Sequence, residues 1–186
     1  FATMNAGTDL ARDIQTGFLN RLALTPIRGS TLLAGTLAGI VVMGVAQAVF
    51  YLAVGLIFGV HFAAGWAGVP VLLFFAAIVA LGFGAFGSFL ALRTGTGEAV
   101  QAFFPVFFVL LFISSMNTPR DLIAVDWFRF LATINPVSYL LECVRSLIIE
   151  GWDWTALALG FGIAVVICVV SIMLAAAALE RRMERT

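Results

Sequence analysis

TLLAGTLAGIVVMGVAQAVFYLAVGLIFGV, residues Thr31–Val60, decides the fold. The stretch has no charged side chain, and Gln47 is its only strongly polar one. At ~1.5 Å of rise per helical residue it more than crosses a hydrocarbon layer of ~30 Å. Its glycines at 35, 39, 44, 55 and 59 would weaken a helix in water, but in lipid small residues let neighbouring helices approach closely. Gly35-Thr-Leu-Ala-Gly39 and Gly55-Leu-Ile-Phe-Gly59 both have small-xxx-small spacing, a weak signal where glycine is common.

The rest of the chain has the same character. Hydrophobic residues make up 62% and charged residues 11%, against roughly a quarter charged in typical globular domains. All ten basic residues are arginine, and lysine is absent. A phosphate-binding P-loop and a Schiff-base site both need a lysine, so both chemistries are excluded. The net charge is zero, which gives no basic field for nucleic acid. His61 is alone and Cys143 and Cys168 lie far apart, so no metal-ligand cluster and no disulfide are expected.

Outward from the first span, residues 60–69 form a turn in which His61 and Trp66 suit a membrane interface. The second span is expected at 70–92, opened by Pro70 and containing Gly82, Gly84 and Gly87. A polar loop, Arg93–Glu98, leads to a third span at 99–115. There Phe104, Phe108 and Phe112 recur at i, i+4, i+8, either as packing or as the wall of a greasy conduit, and Pro105 interrupts the helix. The fourth span, 155–179, follows the interfacial pair Trp152 and Trp154 and is free of charge. A tail, 180–186, closes the chain.

Two segments break the apolar pattern. Ahead of the first span, Ile14, Phe18 and Leu22 form one apolar stripe in the charged stretch 12–28, and Thr25-Pro26 stops the helix. This is either a surface linker or a short helix that passes movement from a soluble partner to the spans. Between spans three and four, residues 117–151 read as two short helices, 125–134 and 137–149, split at Asn135-Pro136 and lying at or dipping into the far interface. Glu142 and Arg145 are spaced i, i+3 and are expected to pair, as an interfacial ion pair or as part of a gate or cargo contact. Arg12, Arg21, Arg28, Arg93, Arg181, Arg182 and Arg185 fall on one side of this topology, and Arg120, Arg129 and Arg145 on the other. The positive-inside rule puts the first group in the cytoplasm and the helix pair outside. Since Phe1 and not Met opens the sequence, a longer parent chain is expected, with 1–11 the tail of a preceding span.

Gly17-Phe-Leu-Asn-Arg-Leu-Ala-Leu-Thr-Pro-Ile-Arg28 resembles the cytoplasmic signature of ABC type-2 transporter permeases. Asn135-Pro-Val-Ser-Tyr-Leu-Leu-Glu-Cys-Val-Arg145 resembles that family's external stretch before the last span. The order of elements agrees along essentially the whole chain. The resemblance implies an all-α membrane protein, a polytopic helical bundle with four spans here and six in the complete protomer, with a coupling helix and an external re-entrant helix pair. It implies a multi-pass membrane protein that pairs with a second permease protomer, as a homo- or heterodimer. Arginine without lysine, with much Ala, Gly and Val, points to a GC-rich bacterial genome and so to a bacterial plasma (inner) membrane. An ABC ATPase subunit would dock on the coupling helix, formed by Ile14, Gly17, Phe18, Leu19, Arg21, Leu22, Thr25 and Pro26. ATP and Mg would sit on that subunit, leaving this chain without a cofactor or a catalytic residue of its own. Gln15 stands where relatives often carry an acid, and Gly35-Thr36 where many have a basic residue, so particular ion pairs with the ATPase do not transfer.

The leading expectation is an exporter of lipophilic or amphipathic cargo, a drug, antibiotic or lipid, with Phe104, Phe108, Phe112 and Asn117 on the substrate path. Asn135, Pro136, Tyr139, Glu142 and Arg145 would form an external gate. A polysaccharide-exporting permease is the alternative within the family. A passive channel calls for a polar or charged filter ring, and an intramembrane enzyme for ionisable groups inside the bilayer. The four expected spans supply neither. A structural membrane subunit remains the other alternative.

Overall fold

The computed structural model describes residues 2–16, 29–116 and 118–183. The described residues are mostly helical and include no strand, as the all-α expectation requires. The helices are α1 (Ala2–Gln15), α2 (Gly29–Ile57), α3 (Gly68–Thr94), α4 (Gly97–Phe112), α5 (Asp126–Ile134), α6 (Pro136–Arg145) and α7 (Trp154–Met183). A 3-10 turn, Arg120–Leu122, precedes α5, and a π-helical turn, Ser146–Glu150, follows α6.

Stretches of α2 (Leu33–Ile57), α3 (Gly68–Thr94) and α7 (Trp154–Arg182) are long and apolar enough to cross a membrane. The third expected span is shorter. α4 has 16 residues, about 24 Å at ~1.5 Å per residue. It ends at Phe112 and gives way to turns, with the Ile113 amide donating to the Val109 carbonyl at 3.0 Å and the Ser114 amide to Leu111 at 3.2 Å. Pro105 sits inside α4, where it has no amide hydrogen to donate. At the start of α3, Pro70 falls in the first turn, where a missing donor costs nothing.

The chain forms two compact units: residues 1–49, 76–103 and 165–186, and residues 50–75 and 104–164. The first unit is knit by one apolar cluster. Leu10 and Ala11 of α1 join Leu33, Leu37 and Ile40 of α2, Leu92 of α3, Val100 of α4 and Leu179 of α7. Small residues set the spacing: an added Cβ at Gly84 would meet Ile40 Cδ1 at 2.9 Å, and one at Gly82 would meet the Cys168 backbone at 3.2 Å. Ser88, fully buried, returns its hydroxyl to the Gly84 carbonyl at 3.0 Å and leaves no polar atom unpaired there. At the end of α3, Gly95 takes φ +74, and the Arg182 guanidinium donates to the Leu92 carbonyl at 2.8 Å. A cation at a helix C-terminus is favourable against the helix dipole.

In the second unit α6 packs on α7 at Gly160. A Cβ there would clash with the Cys143 Cβ and stand 2.9 Å from the Tyr139 carbonyl. The segment between α2 and α3 is tied to the π turn: the Ala63 and Ala64 amides donate to the Ile148 and Leu147 carbonyls at 3.1 and 3.2 Å, and Trp152 Nε1 donates to the Ala64 carbonyl at 3.1 Å. Large apolar side chains point outward throughout, among them Met43, Phe50, Phe74, Val166 and Met173. In water they would be a severe liability; against lipid tails they are not. Gly160→Ala is expected to cost about 1–3 kcal/mol by overpacking. Gly162→Ala, with nothing within 4 Å of its Cβ position, is the neutral control in a thermal melt of the detergent-solubilised protein.

Candidate functional site

α6 carries the densest polar constellation. Asn135, Ser138, Glu142 and Arg145 recur at i, i+3, i+7 and i+10, so they share one helix face. That face turns inward: Asn135 and Ser138 are buried, and Glu142 and Arg145 are partly so. Its targets are the C-terminal end of α4 and the turns after it, where backbone carbonyls have lost their helical donors.

Asn135 serves two elements. Its Oδ1 accepts from the Val137 amide at 3.0 Å, capping α6, while Pro136 occupies the first helical position. Its Nδ2 donates to the Leu110 carbonyl of α4 at 2.5 Å. Ser138 and Ser115 bond reciprocally: the Ser115 amide donates to Ser138 Oγ at 3.1 Å, and Ser115 Oγ donates to the Ser138 carbonyl at 3.2 Å. Arg145 Nη2 donates to the Ser115 carbonyl at 2.6 Å and to Met116 at 3.2 Å. Arg145 Nη1 is buried and has no hydrogen-bond partner.

The expected pairing of Glu142 with Arg145 is not what forms. Glu142 pairs with Arg120, whose Nε reaches Oε1 at 2.6 Å and whose Nη2 reaches Oε2 at 2.5 Å. A bidentate fork of this kind is the strong form of a charged pair. Arg120 also stacks on Tyr139, its guanidinium carbon 4.1 Å from the ring centroid. Burial is the largest influence on Arg120 and favours losing its proton. The bonds and charge of Glu142, then Tyr139, outweigh it and raise the pKa above the ordinary arginine value. The Tyr139 hydroxyl donates to the Thr133 carbonyl at 2.9 Å. On α5, Arg129 donates to the Ile123 carbonyl through Nε at 2.9 Å and Nη2 at 2.5 Å.

All five residues of the expected gate thus meet around one helix. Arg120, Ser115 and Ser138 belong to the same constellation and were not singled out by sequence. Arg120 lies 22 residues before Glu142, too far for any helical spacing to link them. On the expected substrate path, Phe104, Phe108 and Phe112 form a ring ladder, with centroids 5.6 and 5.0 Å apart and the last two rings exposed. Asn117 lies outside the described residues. Of the expected coupling residues, Ile14 belongs to α1 and packs on the first unit's core. Gly17, Phe18, Leu19, Arg21, Leu22, Thr25 and Pro26 lie outside the described residues.

The ABC-2 type transporter family profile matches residues 1–149, from α1 into the π turn. The chain belongs to the ABC-2 type transporter family. It is a multi-pass membrane protein, as its apolar helices require. A curated relative, "Putative transport permease ycf38" of Cyanophora paradoxa, is 28% identical over 147 residues. That match covers 78% of this chain and 50% of the relative, so the chain spans about half the length of the curated relative it matches. No solved structure matches the chain.

Asn135→Ser keeps a capping oxygen but is too short to reach Leu110; Asn135→Ala loses both roles. The alanine variant is expected to be the less stable by about 1 kcal/mol, and both are expected to fall below wild type because the Leu110 carbonyl is left unpaired. Cys143 is fully buried, and burial pushes its thiol up to about 12. At pH 8 the thiolate is then a fraction of roughly 10⁻⁴, so maleimide labelling of Cys143 should stay undetectable until detergent denaturation, as read by mass spectrometry.

Proposed function

We infer that this chain is the membrane-spanning permease part of an ATP-driven exporter for lipophilic or amphipathic molecules such as drugs, antibiotics or lipids. The family match over residues 1–149 supports the permease part of this reading, as does the name of the Cyanophora relative, a putative transport permease. ATP is hydrolysed on a separate ABC ATPase subunit in the cytoplasm, and two permease protomers enclose the path. The arginine distribution supports a cytoplasmic placing of residues 12–28 and an external placing of α5 and α6. The inner membrane of a bacterium is the proposed location.

The coupling segment is 12–28, with Phe18 and Leu22 gripped by the ATPase. Closure of the ATPase dimer moves that segment, and the spans change the side to which the path opens. Nucleotide shifts this equilibrium only by its differential affinity for the two states. The exposed ladder of Phe108 and Phe112 supports apolar cargo, since aromatic faces bind it without a charge to desolvate. The α6 constellation supports an outer gate, because it joins the end of α4 to a turn of another segment through bonds that can open.

Phe18→Asp and Leu22→Asp are each expected to abolish transport-stimulated ATPase activity while membrane insertion stays normal. The measurement is ATP turnover with and without cargo, in vesicles holding the permease and its ATPase. Normal coupling in both variants would refute the assignment of residues 12–28.

A further inference from the structure

We propose that Glu142 is an exchangeable partner, holding Arg120 in the conformation seen here and passing to Arg145 when the Arg120–Leu122 turn separates from α6. This gives the proposed outer gate its moving part, and to that extent it rests on the transport reading.

Three observations carry it. Arg145 Nη1 is buried without an acceptor, although Nη2 of the same group serves two carbonyls. A buried guanidinium nitrogen without a partner is uncommon and calls for an explanation. Glu142 stands three residues earlier on the same helix, a spacing at which a carboxylate and a guanidinium can meet. Both oxygens of Glu142 are engaged by Arg120, which belongs to a separate segment, the turn before α5. Finally, the helix is already loosened where an exchange would need it. The Ser146 amide is shared between the Cys143 and Glu142 carbonyls, and the π turn Ser146–Glu150 begins at once. π turns recur at functional sites, where an extra residue in the ladder lets a helix re-register.

The exchange removes the main obstacle to opening. If Arg120 left alone, Glu142 would remain as a partly buried, uncompensated charge, which is strongly unfavourable. With Arg145 one turn away, the carboxylate is paired in both states, and the orphaned nitrogen gains an acceptor in the second. The two arrangements form a bistable element of the kind on which gates are built.

The test is a sign. Arg120→Gln frees Glu142 in the full chain held in nanodiscs, and Glu142→Gln is then added. If Glu142 has passed to Arg145, the second substitution breaks a pair and lowers the melting temperature further, by about 2–4 °C. If Glu142 is left unpaired, the second substitution removes a stranded charge and the melting temperature rises or stays level. Either of those results overturns the proposal. Arg120→Met, which keeps apolar contact with the Tyr139 ring, supplies the same comparison if the glutamine variant fails to fold. The melt uses no nucleotide, cargo or ATPase subunit. A negative result therefore sinks the exchange and leaves the transport reading standing, while normal coupling in the Phe18 and Leu22 variants sinks the assignment of residues 12–28 and leaves the exchange standing.

Discussion

A peptide carbonyl that leaves a helix inside packed protein must find another donor, since a buried polar group left unpaired is costly. The end of α4 poses that problem, because this helix stops short of a full crossing. Leu110, Ser115 and Met116 offer carbonyls there, and Asn135 and Arg145 of α6 take them up. Ser138 holds the Ser115 amide in the same way. The position of α6, and through it the Arg120–Glu142 pair and the Tyr139 ring, follows from this one requirement. The polar face of α6 is therefore the internal scaffold of the second unit.

α5 is inside-out by the standards of a water-soluble domain, turning Trp127, Phe130, Leu131 and Ile134, at i, i+3, i+4 and i+7, to the outside, while α6 buries Asn135 and Ser138 alongside Val137, Leu140 and Cys143. Between spans of a lipid-embedded chain this is the economical arrangement. Apolar side chains lose nothing by facing outward, and polar ones gain by bonding to one another. In the first unit the same logic works through size. Gly82 and Gly84 on α3 let α7 and α2 come close, and at the end of α3 Arg182 brings a charge to the Leu92 carbonyl.

This explains what could be read from the sequence. The helical class, the long apolar spans and the break at Asn135-Pro136 are properties of composition and of proline, so they were visible without coordinates. Among the polar members of α6, Ser138 was not visible, but Asn135, Glu142 and Arg145 were, as single residues. Their partners were not. Glu142 has a neighbour at i+3 that satisfies the local pairing rule, yet a bidentate bond to Arg120 from another segment wins, because a fork outweighs one contact along a helix. The short reach of α4 was hidden because Ile113, Ser114 and Ser115 continue an unbroken run while their backbone has already turned. Hydropathy does not register where a ladder of hydrogen bonds ends.

The bond from Trp152 to the Ala64 carbonyl joins residues 88 positions apart, and the seat of α6 on Gly160 depends on α7. A ribosome releases these parts in order, so the segment between α2 and α3 emerges long before the residues that fasten it. During that interval the chain has its early helices but not their clasp, and non-local closure of this kind is slow. Assembly of the second unit thus waits on α7: until that helix is made, α6 lacks its seat at Gly160.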